Sequence, residues 1–436
     1  MNTLPGHLAP APWTDWKMRI VTHEEHFVLP ALAGWIKQAA LQLRAISAMA
    51  MGLALGACAT MPARAPYALV ELAQASVLPD EGVRFWAKGD DAAYRTWGDT
   101  LRQDRTASGL PAPATLLALS GGSDKGAFGA GLLAGWSRTG IRPAFDIVTG
   151  VSTGALIAPF AFLGPVEDPT LTALYTTISS SDIYRPRLLG GLLGGASLLD
   201  SKPLAELIAR HVTPDLLDRI AAEHRRGRRL LVMTTQLDAQ RGVIWDMGAI
   251  AQSRAPERLA LFRRVLLASA SIPGAFPPVL IDSAVGGHRI REMHVDGGTI
   301  GGFFTLPTSL VSAAQAGSPD HSAIFLIYNG VFGRNFEVVK PSTFSIMSRA
   351  LATVLGQLDR NTAEELQALA QKRGVLFYLC ALAPADIDEK SPLFDRRSMQ
   401  EFYATGEKRA AAEGGCLRKP VTEELDLAGL QGAGAP

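Results

Sequence analysis

Short continuous apolar runs alternate along the chain with longer stretches whose apolar residues recur at helical spacing. Thr115-Leu116-Leu117-Ala118-Leu119 has the length of a strand, ends in a glycine-rich turn and is followed by helical spacing over residues 127–136. The same order of strand, glycine turn and helix recurs at residues 145–148, 150–154 and 155–163. Two such units predict a parallel α/β sheet, since parallel neighbours need a crossover that a helix supplies. Further strands are predicted at 230–235, 323–328 and 376–382, alternating with helices near 203–211, 256–270 and 362–372. An amphipathic helix is predicted at 91–105, in a stretch punctuated by Pro, Ala and Asp ahead of the core. No internal repeat or low-complexity linker interrupts this order.

Composition adds mainly exclusions. With 436 residues, 47% hydrophobic and 19% charged, the chain can bury a large core as one big domain or two. Lys+Arg 42 against Asp+Glu 41 leaves a formal net charge of +1, so no overall field recruits nucleic acid. Cys58, Cys380, Cys416 and the eight histidines show no metal-ligand spacing, and no metal or other cofactor is expected. No apolar run reaches the about 20 residues that span a bilayer as a helix.

The two glycine-rich turns carry the candidate chemistry. Gly150-Val151-Ser152-Thr153-Gly154 is a GxSxG sequence placed where a strand ends and a helix begins, the setting a nucleophile elbow requires. Glycines two before and two after the serine remove clashes with neighbouring backbone. The helix behind Ser152 favours a developing alkoxide with its partial positive charge. A plain helix N-cap is the simpler reading of Ser152. Upstream, Ser120-Gly121-Gly122-Ser123-Asp124-Lys125-Gly126 offers backbone N–H groups on a loop without bulky side chains, a candidate oxyanion hole. It lacks the GK[ST] ending of a P-loop and the GxGxxG order of a dinucleotide site. His294-Val295-Asp296-Gly297-Gly298 forms a third constellation at a strand end. Asp296 is the candidate base if it lies in a partly desolvated pocket within reach of Ser152; otherwise it caps a turn.

In this order the three motifs resemble the patatin-like phospholipase family. Its marks are a Gly-rich oxyanion loop ending in Arg/Lys-Gly, here Lys125-Gly126, a GxSxG elbow, here Gly150 to Gly154, and a downstream Asp-Gly-Gly or Asp-Gly-Ala, here Asp296-Gly297-Gly298. The stretch from Ala268 to Pro278 also resembles the family's segment ahead of its aspartate. The resemblance covers residues 114–300 well and continues loosely to 412. It implies a three-layer α/β/α sandwich around a mainly parallel sheet, and a Ser-Asp dyad that cleaves lipid acyl esters without a metal or a histidine. On that resemblance Ser152 attacks, Asp296 accepts its proton, and the amides of Gly121, Gly122 and Ser123 receive the oxyanion. Ser123 stands where the family commonly has a third glycine; if the position needs positive φ, serine adds strain of about 1 kcal/mol or more.

The amino-terminal part reads as a processing signal. Residues 45–57, AISAMAMGLALGA, are apolar and uncharged, follow Lys37 and Arg44, and lead directly into Cys58. Leu55-Gly56-Ala57-Cys58 resembles the lipobox of bacterial lipoproteins, which implies lipidation of Cys58, export and membrane anchoring. The alternative is a buried or interfacial helix ending at a chance cysteine. Pro5, Pro10, Pro12 and Glu24-Glu25 do not suit a compact leader, so the start is open, Met18 being one choice. The expected division is a leader over 1–57, a tether and lead-in segment over 58–113, a catalytic domain over 114–412 and a tail over 413–436. Outside the cytoplasm Cys380 and Cys416 either pair or remain two buried thiols.

Two segments are candidates to meet the lipid. Residues 188–199, rich in Leu and Gly, read either as a mobile lid or as packing beneath a loop. Arg225-Arg226-Gly227-Arg228-Arg229 either touches anionic head groups or is a solvated helix end. The leading expectation is a lipid hydrolase of phospholipase A or lysophospholipase type acting on a lipid substrate. The alternatives are an acyltransferase or general esterase on the same fold, a non-catalytic lipid-binding lipoprotein, and a conventional triad in which His321 would be the histidine.

Overall fold

The computed structural model describes residues 64–79, 82–111, 115–187, 197–305, 322–332, 338–387, 391–412 and 416. Every described residue belongs to the unit Ala59–Pro436. The expected leader, Cys58, His321, most of 188–199 and nearly all of the 413–436 tail lie outside the described residues.

Nine strands among the described residues share one sheet: β1 (Arg84–Trp86), β2 (Thr115–Leu119), β3 (Ile147–Val151), β4 (Arg229–Gln236), β5 (Arg241–Asp246), β6 (Val279–Val285), β7 (His288–Asp296), β8 (Ala323–Val331) and β9 (Leu376–Leu382). The path is β1-β5-β4-β3-β2-β8-β9. From β4 to β9 the neighbours are parallel, and β5 and β1 extend the sheet antiparallel. The main helices are α1 (Asp91–Ala107), α2 (Gly126–Arg138), α3 (Thr153–Leu163), α4 (Asp168–Thr176), α5 (Lys202–His211), α6 (Pro214–Arg225), α7 (Arg258–Ser269), α8 (Thr343–Arg373) and α9 (Arg396–Ala411).

Because side chains alternate along a strand, the central strands feed two cores. Leu117, Val148, Val232 and Ile327 pack with α2, α3, α6, α7 and α9 on one face. Leu116, Ile147, Leu231 and Leu326 pack with α1 and the second half of α8 on the other. The architecture is the three-layer α/β/α sandwich, with helices covering both faces as continuous apolar parallel strands require.

The predicted strands and the two βα units are present. Four strands, β1, β5, β6 and β7, have no predicted range: β1 is only three residues long, and β5 begins and ends on charged residues. The β6–β7 hairpin turns at Gly286-Gly287, both at positive φ, and that pair is a legible turn signal between alternating runs. The predicted helix at 362–372 is the end of a 31-residue helix, α8. Its first half carries a single charge, Arg349, and no buried residue among its described side chains, so the polar-apolar contrast that marks a helix is missing there.

Ion pairs knit the bottom of the sheet and correct the reading of the basic cluster. Arg229 is 1% exposed and donates to Asp104 Oδ2 (2.6 Å) and the His224 carbonyl, while Arg228 donates to the carbonyls of Phe145 and Phe162. These two guanidiniums are structural, so neither a head-group patch nor a solvated helix end describes them; Arg225 and Arg226 are exposed. Cys380 and Cys416 form a disulfide, their Cα atoms 5.5 Å apart.

Helices α2 and α9 touch through backbone. A Cβ on Gly131 would lie 2.0 Å from the Tyr403 carbonyl oxygen, and one on Gly406 would lie 2.2 Å from that of Phe128. Gly131→Ala gains about 1 kcal/mol of helix propensity, but the clash with rigid backbone costs about 1–3 kcal/mol or more. We expect a net loss of stability, seen as a lowered midpoint in thermal melting followed by circular dichroism; a raised midpoint would contradict this packing.

Candidate active site

One edge of β4 positions the site. β5 pairs along the other edge, from Leu231 to Gln236. On the remaining edge β3 runs parallel to β4 as far as Val151, opposite Met233. From the opposite direction β7 takes over that edge, ending at Asp296 opposite Thr234. Two strand ends far apart in sequence therefore meet head to head, and the residue that follows β3, Ser152, stands 144 positions before Asp296.

Ser152 has φ 55° and ψ −124°, a conformation that costs a non-glycine residue about 1–3 kcal/mol and throws the hydroxyl clear of the turn. A Cβ on Gly150 would come within 2.5 Å of the Gly154 carbonyl oxygen, and one on Gly154 within 2.3 Å of that of Leu119. Only glycine allows the elbow to close that tightly. The Ser152 N–H donates to Ser269 Oγ (3.0 Å), and that hydroxyl donates to the Met233 carbonyl (2.8 Å). The elbow is thus fastened to α7 and β4.

Ser152 Oγ donates to Asp296 Oδ2 at 2.6 Å. The other carboxylate oxygen accepts from the Gly298 N–H at 2.7 Å, and a Cβ on Gly297 would lie 2.4 Å from the Met233 carbonyl oxygen. The Asp296 backbone is held by the Ser271 carbonyl (2.9 Å) and the Thr235 hydroxyl (3.0 Å). Burial raises the Asp296 carboxyl to about 7, against the lowering effects of the Ser152 and Gly298 hydrogen bonds. Both side chains are buried, and no histidine among the described residues hydrogen-bonds to either one.

The upstream loop lies against the serine. An ideal Cβ on Gly121 would sit 3.2 Å from Ser152 Cβ, a contact so tight that the serine would have to give by a few tenths of an ångström. The Gly121 N–H donates to the Gly302 carbonyl (2.8 Å), so it is not a free oxyanion donor as the motif implied. The N–H groups of Gly122 and Ser123 have no acceptor among the described residues and are the remaining candidates. Gly122 has φ 152° and abuts Asn329: a Cβ there would lie 1.8 Å from its carbonyl oxygen. Ser123 adopts φ 55°, the left-handed conformation in which serine is strained. Lys125 points toward Asp124 (3.8 Å), and Gly126 leaves space for the Thr153 hydroxyl.

Several supporting residues have no motif to announce them. Asn329, fully buried, donates its side-chain amide to the Ser120 carbonyl (2.8 Å), accepts at its side-chain oxygen from the Gly129 N–H (3.1 Å) and donates its own backbone N–H to Ser120 Oγ (2.7 Å). Asp359 of α8 accepts from the Gly302 N–H (2.7 Å) and the Tyr328 hydroxyl (2.9 Å), and burial raises its carboxyl pKa. Only the Asn329-Gly330 pair within β8, where the pairing with β9 shifts register, and the serines within 268–278 hinted at this shell. His294 is buried between Thr234 Oγ1 (3.0 Å) and Glu292 Oε2 (3.2 Å), and burial lowers its pKa, leaving a neutral ring. Among the described residues no cluster of His, Cys, Asp or Glu could hold a metal ion.

Residues 117–308, which contain the elbow, the loop and the aspartate, match the family model described as patatin-like phospholipase. This is a patatin-like phospholipase domain. No curated protein matches the chain. Among solved structures, the crystal structure of VipD from Legionella pneumophila aligns with 11% identity over 69% of this chain and 67% of that one, at a TM-score of 0.29.

Within the patatin-like domain, Ser123 is the strained position. Ser123→Gly removes a left-handed penalty of about 1–2 kcal/mol and adds about 0.4–1 kcal/mol of unfolded-state entropy. We expect stability to rise by roughly 0.5–1 kcal/mol in urea unfolding; a lower midpoint at unchanged m-value would refute the strain.

Proposed function

We propose that the protein is a serine lipid acyl hydrolase of phospholipase A or lysophospholipase type, with Ser152 as nucleophile and Asp296 as general base. The observation that carries this reading is the 2.6 Å hydrogen bond from an elbow serine to a buried carboxylate that burial has lifted to about 7. A base poised near neutrality is the one best suited to take a serine proton.

In the proposed reaction Ser152 Oγ attacks the ester carbonyl while Asp296 takes its proton. The negative charge moves to the carbonyl oxygen, where the Gly122 and Ser123 amides stabilise it; one preorganised donor of this kind is worth about 3 kcal/mol. Collapse of the tetrahedral species expels the alcohol or lysophospholipid, which Asp296 protonates. Water then attacks the acyl-serine with Asp296 again as base, releasing a fatty acid. Gly121 takes a scaffold role here, holding the loop to Gly302.

The reading extends to a lipid surface. Met347, Leu351, Val354 and Leu358 on α8 are exposed at spacings of three and four, a stripe suited to an apolar interface. An exported chain tethered through lipidated Cys58 fits this proposal, and the Cys380–Cys416 disulfide supports an oxidising compartment. No helix among the described residues is long and apolar enough to cross a membrane.

A fluorophosphonate probe tests the nucleophile: the unmutated protein should label, Ser152→Ala should not, and Asp296→Asn should label at least about 100-fold more slowly. Labelling that survives in Ser152→Ala would remove that residue from the mechanism. Defined phospholipids should yield free fatty acid and lysophospholipid; acyl groups recovered on an added alcohol instead would point to a transferase.

The pH dependence follows from the carboxylate. Asp296 acts only when ionised and burial disfavours ionisation, so kcat/KM should rise about tenfold per pH unit below about 7 and level off above it. A profile already level at about pH 5, near the ordinary carboxylate range, would contradict the desolvated base.

A further inference from the structure

The loop that faces the elbow is held at two adjacent residues by neighbours on β8. Asn329 bonds both the carbonyl and the hydroxyl of Ser120 directly. Tyr328, one residue earlier, reaches the loop through α8: its hydroxyl donates to Asp359 Oδ2 (2.9 Å), and Asp359 Oδ1 accepts from the Gly302 N–H (2.7 Å). The Gly302 carbonyl in turn accepts from the Gly121 N–H (2.8 Å). A single residue, Gly302, therefore stands between a carboxylate on α8 and the loop, with its donor on one and its acceptor on the other.

The placement of Asp359 is costly, and the surrounding sequence accommodates it. Leu351, Val354 and Leu358 ahead of it on α8 are exposed, whereas Ala363, Leu366 and Ala370 after it are buried. Asp359, 5% exposed, stands where the helix enters the core, and burying a carboxyl there carries a desolvation cost that its hydrogen bonds help offset. Gly302 is the residue this approach requires, because a Cβ would lie 2.3 Å from Asp359 Oδ2. Asp359 hydrogen-bonds to neither Ser152 nor Asp296, so the proton transfers of the proposed reaction make no use of it.

We propose that Asp359 is a positioning residue for the oxyanion hole: by fixing Gly302 it commits the Gly121 N–H to the Gly302 carbonyl and leaves the Gly122 and Ser123 amides to face the ester oxygen. The proposal rests on the hydrolase reading and adds what keeps the loop in place against Ser152. Backbone amides stabilise an oxyanion only when they are preorganised, and a misplacement of about 1 Å costs roughly 100-fold in rate. The loop has little slack, since its Gly121 lies so close to Ser152 that a Cβ would be 3.2 Å from the serine Cβ. Acylation and deacylation both pass through an oxyanion, so loss of Asp359 slows both steps together and leaves binding of the ground-state ester unchanged.

Hydrolysis of p-nitrophenyl butyrate by the full chain tests this. Asp359→Ala should lower kcat about 10- to 100-fold with KM within about twofold of the unmutated value. Asp359→Asn keeps a side-chain oxygen for the Gly302 N–H and should restore kcat to within about threefold. A trifluoromethyl ketone, which Ser152 converts into a tetrahedral oxyanion adduct, should lose affinity in Asp359→Ala by the same factor as kcat/KM. If Asp359→Ala does not fold, Gly302→Ala decides, since its Cβ displaces the carboxylate and should lower kcat in the same way. An unchanged kcat, a loss carried by KM instead, or an asparagine variant as slow as the alanine one overturns the proposal. Unmutated protein that fails to label with a fluorophosphonate sinks the hydrolase reading and this proposal with it, whereas normal labelling with kcat unmoved by Asp359→Ala overturns the positioning role alone.

Discussion

The site depends on a shared strand edge. β4 has one edge free of β5, and two strands divide it: β3 arrives from one side, β7 from the other, and their ends abut at Met233 and Thr234. Backbone hydrogen bonds on both sides fix the register, so the separation of Ser152 and Asp296 is set by sheet geometry rather than by loop conformation. Sites held on regular elements keep the sub-ångström placement that proton transfer needs.

Everything else around the pair serves that meeting. Gly150, Gly154 and Gly297 stand where a Cβ would strike backbone, and Ser269, Ser271 and Thr235 tie the two strand ends to their neighbours. The cost falls on the carboxylate, because a buried Asp is expensive to ionise. That same cost lifts the Asp296 carboxyl to about 7. A second line of hydrogen bonds runs from Asp359 on α8 through Gly302 to Gly121. The long helix is thereby joined to the loop that faces the elbow.

Much of this was legible from the chain. The βα units announced themselves because parallel strands buried on both faces are continuous apolar runs, and GxSxG and Asp-Gly-Gly pointed to the two side chains that hydrogen-bond, Ser152 and Asp296. What could not be read was pairing across distance. No local pattern says that β7 shares an edge with β3, that the Gly121 amide is already spent on Gly302, or that Asn329 clamps the loop. Arg228 and Arg229 looked like surface charge because a run of arginines carries no sign of the carbonyls and carboxylates that bury it. Ser123 was the reverse case: one residue out of pattern disclosed a strained backbone position before any coordinates.

Direct titration of Asp296 tests the juxtaposition most closely. With carbon-13 at the aspartate carboxyls, nuclear magnetic resonance should show Asp296 titrating near 7 in the unmutated protein. In Ser152→Ala it should titrate higher still, because the hydrogen bond that favours the carboxylate is gone. A resonance that titrates in the ordinary carboxylate range and ignores the loss of the serine hydroxyl would contradict the account.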